Sequence, residues 1–106
     1  GEGELLDKVM ERMRAGYASD LGLEELAAEV GLTIFQLIGL FRRTVGLPPN
    51  ACLTQVWLGM ACRHLRHSTA IAEVATDVGF YGQSALTRHF KRCYGITPFQ
   101  FARAAA

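Results

Sequence analysis

Gln83, Ser84, Thr87, Arg88 and Lys91 fall within the stretch GFYGQSALTRHFKRCYGITPF, residues 79–99, and carry donors and acceptors suited to nucleobase edges and phosphates. Their spacing gives them meaning. Leu86, Phe90 and Tyr94 recur every four residues, so one helical face is apolar and the polar set lies on or near the other. Gly79 ends the preceding helix and Gly95 ends this one. An ordinary amphipathic surface helix has the same pattern, so a single instance decides nothing. The chain contains the pattern twice.

A net charge of +1 over 106 residues is weak support for a polyanionic partner, but the total conceals an asymmetry. Residues 1–30 hold eight acids and three bases, giving −5, whereas residues 31–106 hold eight bases and two acids, giving +6. The later helices should therefore present a basic face. A hydrophobic content of 50% with 20% charged residues excludes a disordered chain, and no apolar run approaches the ~20 residues of a membrane span. The length fits one domain, and the lack of a basic segment followed by an apolar run gives no sign of a signal peptide; the expected location is the cytoplasm.

Cys52, Cys62 and Cys93 form no CxxC pair and are odd in number, which argues against a disulfide framework. Cys62, His64 and His67 could share a metal only with a fourth ligand from elsewhere, and positions 62 and 64 point to different sides of a helix. No metal or cofactor is expected. No cysteine has a companion histidine and acid at informative spacing, so catalysis is not expected either.

The elements that would hold the polar stripe can be read in order. Residues 4–15 place Leu5, Leu6, Val9, Met10 and Met13 along one helical stripe, with Gly16 as the stop. After the connection YASDLG, Leu23, Leu26, Ala27 and Val30 mark a second helix closed by Gly31. Thr33 and Gln36 have capping-box spacing, so a third helix begins at once and carries Leu37, Leu40 and Phe41 inward. Pro49 opens a proline-free segment, about 49–67, whose stripe is Leu53, Val56, Trp57, Met60, Ala61, His64 and Leu65. A helix of that length would span roughly 27 Å at ~1.5 Å per residue and could act as a strut. IAEVATDV, the polar helix described above, and a last helix capped by Thr97 and Gln100 complete the chain. The expectation is an all-α fold of seven helices.

Shifting the chain by 48 residues lays Leu26, Ala27 and Gly31 on Val74, Ala75 and Gly79. Beyond the turn the shift is 49, and Leu37, Phe41, Arg42, Arg43, Gly46 and Pro49 fall on Leu86, Phe90, Lys91, Arg92, Gly95 and Pro98. A repeat seen only twice is a duplicated module rather than a solenoid. The modules occupy about 4–46 and 70–104. Helix, tight glycine turn and helix form the helix-turn-helix arrangement, although an αα-hairpin without DNA contacts would need the same spacing. The recurring basic pairs, Arg42 and Arg43 with Lys91 and Arg92, are candidates for phosphate contacts.

LEELAAEVGL, LFRRTVGLPP, IAEVATDVGF and QSALTRHFKRCYGITPFQF together resemble the DNA-binding region of AraC/XylS-type transcription regulators, from about Leu21 to Phe101. The resemblance implies a homeodomain-like tandem of two helix-turn-helix modules joined by a long helix, each placing a recognition helix in successive major-groove segments of double-stranded DNA. It puts Gln83, Ser84, Ala85, Thr87 and Arg88 at base-reading positions of the second module, and Phe35, Ile38 and Gly39 at those of the first, with Thr33 at a phosphate position. Gly39 stands opposite Arg88 and Ile38 opposite Thr87, where relatives often have polar or basic groups. Gly22, Pro48 and Ala70 replace expected hydroxyl caps, and Trp57 and Cys62 replace common arginines.

The resemblance further implies a bacterial regulator with a separate N-terminal effector domain, no membrane partner, and RNA polymerase as a partner if it activates. The competing reading is a degenerate module that docks a protein through an apolar patch of Ile38, Gly39 and Trp57.

Overall fold

The computed structural model describes residues 1–16 and 22–106; the YASDLG connection, apart from Gly22, lies outside the described residues. Among the described residues there are seven helices and no strand: α1 (Glu2–Ala15), α2 (Leu23–Glu29), α3 (Ile34–Thr44), α4 (Pro49–Leu65), α5 (Ile71–Val78), α6 (Gln83–Tyr94) and α7 (Pro98–Ala105). The chain divides into two compact units, Gly1–Leu53 and Thr54–Ala106, and the division falls inside α4.

In the first unit α1, α2 and α3 pack against one another in pairs. Val9 and Met13 from α1, Leu26 and Ala27 from α2, and Leu37, Leu40 and Phe41 from α3 are buried. Leu5, Leu6 and Met10 extend the predicted α1 stripe but are only half-buried. α1 begins at Glu2, two residues before the expected start, and its acids Glu2 and Glu4 lie in the first turn, where the helix dipole favours negative charge. Arg12 pairs with Glu29, donating from Nε at 2.5 Å and from Nη2 at 3.2 Å, which ties the end of α1 to the end of α2.

The α2–α3 turn is set by hydrogen bonds that side chains do not supply. Gly31 N–H donates to Ala28 O at 3.0 Å and Leu32 N–H to Ala27 O at 2.8 Å, closing α2 with paired reverse bonds. That geometry requires Gly31 at φ +77°, where a Cβ would be strained. In the second unit Phe80 N–H repeats the bond to Ala75 O at 2.9 Å, with Gly79 at φ +127°. The duplication inferred from spacing is thus also a duplication of backbone geometry.

Thr33 caps α3 as expected: its hydroxyl oxygen accepts from Gln36 N–H at 3.2 Å, and its own N–H donates to Gln36 Oε1 at 2.9 Å. Thr97 and Gln100 make the same pair of bonds at α7. Thr33→Ala is expected to cost about 1 kcal/mol and to lower Tm by about 4–8 °C, measured by thermal melting. An unchanged Tm would mean that water replaces the cap without loss.

In the second unit α5 and α7 both pack on α6. Ile71, Val74, Ala75 and Val78 of α5, with Leu86 and Phe90 of α6 and Ala102 of α7, form its core together with Leu58, Ala61 and Leu65 of α4. The deepest face of α4 differs from the expected stripe. Leu58 is buried, whereas Leu53, Val56, Met60 and His64 are half-buried, because α4 is apolar on several sides and periodicity alone cannot choose among them. Tyr94 is also more exposed than predicted, at 43%, though its ring packs edge-on to Phe90 at 4.6 Å. α4 ends at Leu65, and His67 N–H turns back to His64 O. The hydroxyl cap is missing at Ala70, and Ser68 Oγ accepts from Ala70 N–H at 3.0 Å in the turn before α5.

Candidate nucleic-acid interface

On α6, Leu86 and Phe90 are fully buried, and that anchorage turns the opposite side of the helix to solvent. Gln83, Ser84 and Arg88 are exposed, Ala85 and Thr87 half-buried, and Lys91 and Arg92 exposed one turn later. Positions 83 and 87, and 84 and 88, are each four apart, so the polar groups line one stripe. The N-cap is Gly82 with no side-chain cap bond, which leaves the first-turn N–H groups available to an anion.

His89 lies beside this stripe but does not add to its charge. Its ring stacks on Phe80 at 5.7 Å, and burial, followed by the charges of Arg88 and Arg92, holds its pKa below the ordinary value. The shift favours the uncharged ring. Cys62 and Tyr94 explain another departure from the expected pattern. Burial, and then the hydrogen bond to Cys62, push the Tyr94 phenol up to about 12, so a thiol–phenol contact occupies a place where an arginine is common.

The first unit presents a different surface. Phe35, at the start of α3, is 80% exposed, while Ile38 and Gly39 are half-buried. Thr33 is exposed, and its oxygen accepts from Gln36 N–H, while its hydroxyl proton is the group that a phosphate oxygen could accept. Arg42 is exposed. Arg43, a phosphate candidate, donates to Glu2 Oε2 from Nε at 3.0 Å and from Nη2 at 2.6 Å. The hydrogen bond from Arg43 holds the Glu2 carboxyl below its usual range, against a small opposing effect of burial. A groove of about 420 Å³ runs beside these residues, bounded by Leu5, Leu32, Phe35, Gln36, Gly39 and the Glu2–Arg43 pair.

The units also differ in charge. Residues 1–53 carry eight acids against five bases, and residues 54–106 six bases against two acids. The sequence reading missed Tyr81, which is fully exposed in the turn before α6. The signal was the change of shift from 48 to 49: the N-caps Thr33 and Gly82 correspond at 49, so Tyr81 is the extra residue of the second turn.

Trp57 packs edge-on against Phe80 at 5.4 Å, with its indole nitrogen buried. The residue is half-buried, so it is not the exposed docking group that the competing reading required.

The helix-turn-helix domain family profile matches residues 26–104, most of the chain, from within α2 to the end of the second module. The chain belongs to the AraC-type helix-turn-helix family. It is 26% identical over 102 residues to the HTH-type transcriptional regulator MtrA of Neisseria gonorrhoeae, covering 95% of this chain and 33% of that protein. It is 32% identical over 98 residues to the HTH-type transcriptional activator RhaR of Escherichia coli K12, covering 92% and 35%. The chain thus spans about a third of the length of these curated relatives.

Among solved structures, an AraC-type DNA-binding-domain regulator from Chromobacterium violaceum superposes with a TM-score of 0.91 at 22% identity, covering 98% of this chain and 94% of the other. The DNA-binding domain of the transcriptional factor AdpA, solved with a target DNA, gives 0.80 at 26%, covering 97% and 90%. This is a family of transcription regulators with DNA-binding helix-turn-helix domains, not of enzymes. No helix among the described residues is long and apolar enough to cross a membrane.

Proposed function

We propose that this AraC-type domain binds double-stranded DNA sequence-specifically in the bacterial cytoplasm, with α3 and α6 each entering a major-groove segment. The observation that carries the reading is the stripe of Gln83, Ser84, Thr87 and Arg88 on α6, opposite two fully buried anchors. Arg88 suits a guanine through two parallel hydrogen bonds, Gln83 suits an adenine, and Ala85 can touch only a thymine methyl. In the first module Phe35 and Ile38 offer apolar contact and Gly39 offers no side chain, so most of the sequence preference belongs to the half-site under α6. Arg42, Lys91, Arg92 and the Thr33 hydroxyl proton are the phosphate contacts.

The remaining length of the relatives would hold an effector-binding domain, and RNA polymerase would be the partner of an activator. Binding-site selection on random duplex DNA tests the reading. The expected result is a monomer footprint of roughly 20 base pairs, two turns, with preference concentrated in one half. Affinity should fall steeply with salt, and Lys91→Ala or Arg92→Ala should weaken all sequences alike and reduce the salt slope by about one. Binding that ignores salt, or a footprint of one groove segment, would overturn it.

A further inference from the structure

Gly39 leaves the first recognition helix without a side chain at the position equivalent to Arg88, yet the space above it is not empty. A Cβ built there would meet one group, the Arg43 guanidinium, with Nη1 at 3.0 Å. Long helical side chains lean toward the helix N-terminus, which brings the head of residue 43 over the turn that contains residue 39. Its direction is then fixed from α1. Both Nε and Nη2 donate to Glu2 Oε2, at 3.0 and 2.6 Å, so one edge of the planar fork is held. The other edge, formed by Nη1 and the second Nη2 proton, remains available as a pair of parallel donors. The Arg43 side chain is 60% exposed and lines the same groove as Phe35, Gln36 and Gly39.

We infer that Arg43, supplied from one turn further along α3 and oriented by Glu2, is the guanine-reading residue of the first module rather than a phosphate contact. The inference rests on the DNA-binding reading above and deepens it. A phosphate contact can be made by a mobile positive charge, and lysine serves there as a point charge. A guanine contact needs two donors at the fixed separation of guanine O6 and N7, and a carboxylate clamping the opposite edge supplies that fixity before DNA arrives. The arrangement also accounts for the glycine, because any side chain at position 39 would press on the guanidinium. The second module has no need of the device: position 88 carries its own arginine, and Arg92 is the counterpart of Arg43.

The test uses the duplex obtained by site selection and the same duplex with 7-deazaguanine in place of the guanine of the first half-site, which removes only the N7 acceptor. The wild-type domain should bind the modified duplex about tenfold more weakly. Glu2→Gln and Arg43→Lys should each abolish most of that difference while leaving the salt slope and the preference under α6 unchanged. Gly39→Ala separates reading from folding. It should raise Tm through better helix propensity, yet reduce discrimination two- to threefold as the methyl displaces the guanidinium.

If Arg43→Lys keeps full discrimination, or Arg43→Ala weakens every sequence equally and lowers the salt slope by about one, Arg43 is a phosphate contact and the inference is wrong. Discrimination unchanged in Glu2→Gln would remove the positioning role, and no guanine preference in the first half-site would remove the reader. In each of these cases specific binding through α6 survives. Loss of wild-type binding to all duplexes would overturn the DNA-binding reading as well.

Discussion

Phe90→Ala is expected to destabilise the domain by about 3–5 kcal/mol, far more than the loss of any exposed side chain on α3 or α6. Phe90 is fully buried, and two rings pack edge-on to it, Tyr94 at 4.6 Å and Phe101 at 5.6 Å. Truncation removes the transfer free energy of the ring and the contacts of both neighbours, and it leaves a void between α6 and α7 that the surrounding side chains cannot fully close. Domains of this size have about 5–15 kcal/mol in total, so the variant should melt many degrees lower. Urea denaturation of the second unit is the measurement. A loss below about 1 kcal/mol would show that the aromatic cluster repacks, and the assignment of Phe90 as the anchor of α6 would fail. DNA affinity should drop in parallel, and only because the helix that carries the polar stripe is no longer held.

Arg88→Ala is expected to leave the fold intact and cost about 1–3 kcal/mol of DNA affinity, with relaxed choice at one or two base pairs. The residue is exposed, so its removal creates no cavity. Its guanidinium is the strongest donor on the stripe, and losing a two-bond contact penalises the preferred base more than its competitors. The comparison must be made at one salt concentration and with Tm checked, because a destabilised variant imitates a weak binder. An equal loss on every sequence, with a shallower salt slope, would reassign Arg88 to the phosphates. Equally strong preferences in both half-sites would overturn the view that α6 does most of the reading.

The features legible in the sequence were those fixed by neighbours along the chain. Gly31 and Gly79 marked their turns because the backbone there needs positive φ, and Thr33 with Gln36 and Thr97 with Gln100 announced their helices because both partners lie within one turn. Although Tyr94 on the same face of α6 proved more exposed, Leu37, Leu40 and Phe41 of α3 and Leu86 and Phe90 of α6 were equally plain, since they recur at helical spacing. Leu58 was not, because α4 has apolar side chains nearly all round and only its neighbours in space decide which are covered. The Glu2–Arg43 pair was also hidden: its members are separated by 41 residues, and nothing in either local pattern announces the other. Cys62 and Tyr94 meet for the same reason. The polar stripe was readable as chemistry, and the occupant of the space above Gly39 emerged only in three dimensions.

The chain has one tryptophan, and it lies in the second unit with its ring against Phe80. Its emission spectrum therefore reports on that unit, whereas the first unit has no indole of its own. Far-ultraviolet circular dichroism sees the helices of both. Overlaid melting curves from the two signals would then show whether the halves of this small protein lose their order together or in sequence, without any label being attached.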